Sequence, residues 1–176
     1  MAHLVALSLP YVRFRLSSLM KEIDPWSGGR MTMWTKVMPG LIKKYPFGVG
    51  YGSLTNEEMQ EQAEIAWKRE YPGKRPRGNL VEKGRTHLHS NIPQVLVETG
   101  WIGLFVYIAW MIRAAADGIM LIVKAGKAGL ADKIHATTLL LMLLGLFANG
   151  MVEYNFGDAE LVIILSIVMG VIGRNK

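Results

Sequence analysis

The sequence predicts an all-α integral membrane protein, with a long polar, helical loop region followed by about three membrane-crossing helices. Two observations predict it. Charge is segregated, since residues 13–92 hold 14 of the 20 Lys and Arg and 8 of the 14 acidic groups, while the rest of the chain is neutral overall. The last 83 residues are instead mostly Leu, Ile, Val, Ala, Gly, Met and Trp. A soluble core would interleave these compositions at helical or strand spacing. Their separation fits one part in lipid and the other in water.

Composition also excludes several classes. With no Cys there is no disulfide framework, no thiol nucleophile and no Cys-based metal site. The sequence pI of 9.6 raises nucleic-acid binding, but the basic residues follow no zinc-finger or RNA-recognition pattern and share the chain with apolar stretches. Anionic lipid head groups and lipid phosphates are the expected partners, and nucleic acid is not.

Three regions are expected in order. Residues 3–10 (HLVALSLP) are apolar but far shorter than the roughly 20 residues that cross a bilayer. They also lack the pattern of a signal peptide, so residues 1–14 read as the remnant of an upstream membrane helix. Residues 15–92 form the polar region. Within it Met31, Trp34, Val37, Met38, Leu41 and Ile42 recur at helical spacing, and Pro39 is expected to kink that helix. Residues 45–52 (YPFGVGYG) form a Gly-rich turn. Thr55 and Glu58 make a capping box that opens a helix over about 56–71, with Glu64 and Lys68 paired at i,i+4 and Pro72-Gly73 as the stop. Residues 74–85 carry no regular signal.

Residues 93–176 are the expected membrane region. Pro93 suits a first helical turn, with Ser90 or Asn91 as the cap. The apolar run is clearest over 99–112 and resumes over 118–123, interrupted by Arg113 and Asp117, which can pair. Two further stretches, 134–151 and 159–173, form a hairpin through a turn at 152–158. The connector 124–133 and the C-terminus are basic, and the hairpin turn is acidic. The positive-inside tendency therefore places the C-terminus in the cytoplasm and the polar region outside. A basic region of that size needs a leading helix to cross, so the chain is expected to be part of a longer polypeptide.

Three stretches can carry chemistry. Residues 86–103 (THLHSNIPQVLVETGWIG) place His87, His89, Asn91 and Gln94 where a loop meets the outer end of a membrane helix. A neutral His there can take a proton from a sugar hydroxyl near pH 7, with Asn91 or Gln94 orienting it. Capping and interfacial hydration account for the same residues equally well, and a zinc site lacks a third ligand. Residues 29–34 (GRMTMW), ahead of the PFGVG turn, offer Arg30 to phosphate oxygens, although a structural turn is the plainer reading. Residues 152–160 (VEYNFGDAE) either complete a site wall or cap a hairpin, and sequence alone favours the cap.

Arg30 with Trp34, then PFGVG, then HLHSN-x-x-Q-x-x-x-E-x-G-x-x-G, then GMVEYNFGDAE, in this order, resembles the O-antigen ligase and O-antigen polymerase superfamily. The resemblance implies a multi-helix membrane glycosyltransferase fold of the GT-C-like kind, with its large loop in the periplasm and its helices in the bacterial inner membrane. It implies transfer of a glycan from undecaprenyl pyrophosphate to lipid A-core, protein or another glycan, with no nucleotide-sugar cofactor and no metal. His89 matches the loop histidine that assists the acceptor hydroxyl, and Arg30 the arginine that offsets charge on the leaving pyrophosphate. Arg85, His87, Asn91, Gln94 and Glu153 are the expected substrate-binding residues. The chain departs from the pattern where Ser90 stands in place of Asn, with Asn91 one position on. The superfamily's upstream half, with another functional arginine, is absent from this sequence, so the chain alone need not be active. The rival reading is a non-catalytic polytopic membrane protein such as a transporter component or scaffold. A transporter would more often carry ionisable groups near the midplane.

Overall fold

The computed structural model describes Trp26 and residues 29–76, 78–155 and 158–174. The apolar tail expected over 1–14 lies outside the described residues. Among those described, all regular structure is helical: α1 (Arg30–Thr32), a π-helical turn (Met33–Val37), α2 (Met38–Lys44), α3 (Asn56–Glu70), α4 (Asn91–Ala128), α5 (Leu130–Val152) and α6 (Ala159–Arg174). Two compact units result, one running to Pro46 and resuming over Gly52–Leu88, the other made of Phe47–Tyr51 and the chain from His89 onward.

In the first unit the helix continues through Pro39 by a local change in its ladder. The Met38 N–H donates to the Met33 carbonyl five residues back, widening the helix into a π turn. Pro39 then falls in the first turn of α2. Met33, Val37 and Leu41 form a fully buried stripe with Met59 and Ala63 of α3.

The capping box at α3 forms as the sequence predicts. Glu58 N–H donates to Thr55 Oγ1 at 3.2 Å, and Thr55 N–H donates back to Glu58 Oε2 at 3.2 Å. Partial burial opposes ionisation of Glu58, but hydrogen bonds from Tyr45 and Thr55 and the charge of Lys44 hold its carboxyl below the ordinary range. A carboxyl lowered on folding stabilises the fold above its ordinary pKa, and that contribution disappears as pH falls through the lowered value. Thr55→Ala is expected to cost about 1 kcal/mol, read as a lower thermal midpoint at pH 7. An unchanged midpoint would show that the cap contributes nothing. Glu64 accepts from Gln60 at 3.1 Å, an i,i+4 partner one turn before it, whereas Lys68 stands one turn after it on the same face.

The irregular connector after α3 is held by side chains of the helices. Gln60 Oε1 accepts from the Leu80 and Val81 amides at 3.1 and 2.9 Å. Asn56 Nδ2 donates to the Glu82 and Arg85 carbonyls at 2.9 and 3.0 Å. Trp34 Nε1 donates to the Leu88 carbonyl at 2.7 Å. Backbone with no helix or strand of its own thus has its polar groups met by fixed partners.

The second unit packs α4, α5 and α6 around Ala114, Leu139, Leu143, Phe147, Val168 and Ile172. Two helices are long and apolar enough to cross a membrane, over Asn91–Gly126 and Leu130–Val152, whereas the 16-residue α6 is shorter than a typical span. Only 33% and 22% of the residues in their apolar windows are buried. Large side chains such as Ile102, Phe105 and Ile163 are exposed, at 70%, 73% and 58%. A water-soluble core helix would bury such groups. Arg113 and Asp117 pair as expected, with Nε 3.1 Å from both carboxylate oxygens.

Gly100, inside α4, has φ 69° and ψ −170°, so the helix breaks there. A left-handed φ is open to glycine at no steric cost. The break withdraws the Val97 and Glu98 carbonyls from the helical ladder, and the Gly-rich turn meets them: Val49 N–H donates to Val97 O and Gly50 N–H to Glu98 O, both at 2.9 Å. Gly48 (φ +92°) makes the approach possible, because a Cβ there would lie 2.3 Å from the Glu98 carbonyl oxygen. The portion of α4 beyond the break, residues 101–126, still rises about 39 Å, against a hydrocarbon core of about 30 Å.

Candidate active site at the start of α4

The N-terminus of α4 meets the C-terminus of α5 through side chains. Ser90 occupies the N-cap position with extended backbone. Its hydroxyl does not cap; it donates to the Gly150 carbonyl at 3.4 Å. Asn91, the other expected cap, is buried, and its Oδ1 accepts from the Asn155 amide at 2.7 Å. Asn155 in turn donates from Nδ2 to the Leu146 carbonyl at 3.2 Å and accepts from Asn149 at 3.1 Å. Gly150 is small where the helices close up, since a Cβ there would lie 2.3 Å from Asn91 Nδ2. The motifs HLHSN and GMVEYN, about sixty positions apart, are therefore in contact.

His89 stands directly before this junction with φ 54°, a left-handed value that non-glycine residues seldom adopt. Strained backbone of this kind costs about 1–3 kcal/mol and gathers at functional sites. The imidazole is largely buried, with its Nδ1 3.6 Å from Glu153 Oε2, and the Glu153 side chain is about half exposed. The structure thus brings together His89, Asn91 and Glu153 among the residues singled out in the sequence. Gln94 is 1% exposed and donates from Nε2 to the Glu98 carboxylate at 2.9 Å, which places it inside the second unit.

The other three candidates belong to the first unit. Arg30 is the first residue of α1 and is half-buried. Arg85 is half-buried and ion-paired with Glu82 three residues earlier. His87 is half-buried in the connector.

Several residues near the junction were not singled out. Glu98 is 4% exposed, a lone carboxylate in an apolar run, and that isolation is the signal that could have found it. Beside it an open, largely apolar groove of about 480 Å³ is lined by Tyr51, Glu98, Tyr107, Trp110 and Tyr154, among others. Burial, and then the charge of Glu98 and the neighbouring Tyr51, push the Tyr154 phenol well above its ordinary pKa. It therefore stays a protonated hydroxyl at any physiological pH. Among the described residues no group of three or more His, Cys, Asp or Glu has metal-binding spacing.

Exposed apolar helices, with a polar cluster where two of them end, suit a helical membrane protein and make that cluster the candidate site. The sequence profile described as O-antigen ligase matches residues 1–108, which include Arg30, His89 and Gln94. The chain belongs to the O-antigen ligase family. At family level this makes it a ligase- or polymerase-type glycosyltransferase of lipid-linked glycan assembly. No curated protein and no solved structure matches the chain.

Proposed function

We propose that the protein transfers a glycan from undecaprenyl pyrophosphate to an acceptor hydroxyl at the outer face of the bacterial inner membrane. The acceptor is lipid A-core, a protein or another glycan. The observation that carries this reading is His89, an imidazole on strained backbone 3.6 Å from a carboxylate, inside the stretch that the family profile matches. In the reaction the acceptor oxygen attacks the anomeric carbon as the carbon–oxygen bond to the pyrophosphate breaks. The bonding pair leaves with the polyprenyl pyrophosphate, and the acceptor proton passes to His89 Nε2. Attack opposite the leaving group inverts the anomeric centre.

Arg30 is the residue for the charge that develops on the pyrophosphate, since a guanidinium binds phosphate oxygens in pairs. Arg85 and His87 add positive or donor character on the same loop region, and Asn91 and Gln94 keep the start of α4 in place. The basic connector 124–133 and the acidic turn at 152–158 support a cytoplasmic C-terminus and an external site. Membrane lipids surround α4 to α6. No metal or soluble cofactor has a role in this scheme.

The test is expression of the gene in a host lacking its own glycan ligase, with lipopolysaccharide ladders read on a gel and insertion checked by blotting. Ladders are expected from the unaltered protein and not from an inserted His89→Ala variant. Ladders of equal strength from both would remove His89 from the chemistry. No ladder from either would move the acceptor away from lipid A-core, toward a growing glycan or a protein.

A further inference from the structure

The geometry points to Glu153 as a positioning residue for His89, a carboxylate that fixes the imidazole tautomer and steadies its protonated form. The inference rests on the functional reading above and gives the GMVEYN turn a task beyond closing a hairpin. It also moves Glu153 out of the set expected to bind substrate.

The turn is pinned at several points. Glu153 N–H donates to the Asn149 carbonyl at 2.9 Å, ending α5 and setting the backbone of Glu153. Two residues later, Asn155 N–H donates to Asn91 Oδ1 at 2.7 Å, across 64 positions of sequence. His89 and Glu153 face each other across the same offset, so the two pairs run in register. Asn91 and Asn155 are 4% and 8% exposed, so this clamp is shielded from water. Ser90 on Gly150 adds a third contact, three residues before Glu153. Few turn conformations satisfy all of these bonds, and the one observed presents a carboxylate to Nδ1.

The separation decides what the pair can do. At 3.6 Å the contact is an ion-pair distance, longer than an N–H···O bond of about 2.9 Å. Catalytic contacts are often long without substrate and tighten in the complex, and a closure of about 0.7 Å makes this one a hydrogen bond. Glu153 then accepts Nδ1–H, which leaves the Nε2 lone pair to take the acceptor proton. As that proton arrives, the imidazolium forms beside a negative charge. No proton moves to Glu153.

The experiment compares the unaltered protein with Glu153→Gln and Glu153→Ala in lipid nanodiscs, using a synthetic polyprenyl-pyrophosphate oligosaccharide as donor. Thermal midpoints confirm that each variant is folded. The expected result is a fall in kcat of at least about 10-fold with donor KM unchanged, and partial recovery of Glu153→Ala by added formate. A second readout needs no activity: ¹⁵N-histidine NMR at pH 8, with the His89 signal assigned by its loss in His89→Asn. Nδ1 of His89 is expected to carry the proton in the unaltered protein and to lose it to Nε2 in Glu153→Ala. A rise in KM with kcat unchanged would return Glu153 to substrate binding and overturn the inference. An unchanged tautomer would overturn it as well. If the unaltered protein transfers nothing while the tautomer shifts as expected, the functional reading fails and the pairing stands.

Discussion

Replacing His89 with asparagine is expected to lower glycan transfer by at least about 100-fold, the lower end of what a positioned general base contributes. Asparagine is the informative substitution because His89 has a φ of 54°. Asn adopts left-handed backbone more readily than most residues, so this change keeps the local conformation and removes only the group that takes a proton. His89→Val is the companion, since a β-branched side chain suits that conformation poorly and is expected to lower the thermal midpoint. Together the variants separate chemistry from fold: His89→Asn stays folded and inactive, while His89→Val is destabilised. The measurements are initial rates and thermal midpoints of the membrane-reconstituted protein. A His89→Asn enzyme with rates within a factor of about three of the unaltered protein would contradict the assignment of a general base.

The largest structural effect is expected at Gly48. An added Cβ would meet the Glu98 carbonyl oxygen at 2.3 Å, its carbon at 2.6 Å and the Thr99 nitrogen at 2.7 Å, all of them backbone atoms that cannot turn aside. Gly48→Ala also forces an L side chain onto φ +92°. Left-handed strain of about 1–2 kcal/mol, overpacking of about 1–3 kcal/mol and two weakened backbone hydrogen bonds of about 1 kcal/mol each point the same way. A loss of several kcal/mol is expected, enough to lower the midpoint by about 10 °C in a chain of this size. Gly52 is the control, with a left-handed φ of +67° but no atom within 4 Å of an added Cβ. Gly52→Ala should therefore cost only the conformational part. Equal midpoints for the two variants would show that the turn does not press against the broken helix.

Much of the fold is legible from local chemistry. The Thr55–Glu58 box, the Pro72-Gly73 stop and the Arg113–Asp117 pair each act within four residues, and each stands where the pattern places it. The three apolar helices follow from composition, with bounds that shift by a few residues. The break at Gly100 is hidden because apolar residues continue on both sides of it, and a glycine inside such a run carries no sign of its φ. Its meaning lies in the partner, a turn about fifty residues earlier whose glycines otherwise look like an ordinary loop. The π turn ahead of Pro39 is hidden for a similar reason, since a proline within a helical pattern does not say how the ladder before it rearranges.

The candidate site divides in the same way. His89, Asn91 and Gln94 stand out as polar groups at the edge of an apolar helix. What the sequence alone leaves open is which surface they meet, because the contacts to Gly150, Glu153 and Asn155 span some sixty positions. The acidic turn reads as a hairpin cap by local logic. The bond from Asn155 to Asn91 is what ties it to His89, and no periodicity encodes that bond.

The central claim is most directly tested by the stereochemistry of a single transfer. The protein in nanodiscs is supplied with a polyprenyl-pyrophosphate oligosaccharide of known anomeric configuration and a soluble acceptor, with no nucleotide and with chelator present. The product linkage is read by NMR, and free polyprenyl pyrophosphate is counted alongside it. The account predicts one pyrophosphate released per glycan transferred and an inverted anomeric centre in the product. A retained configuration, or pyrophosphate released without any glycan reaching the acceptor, would contradict it.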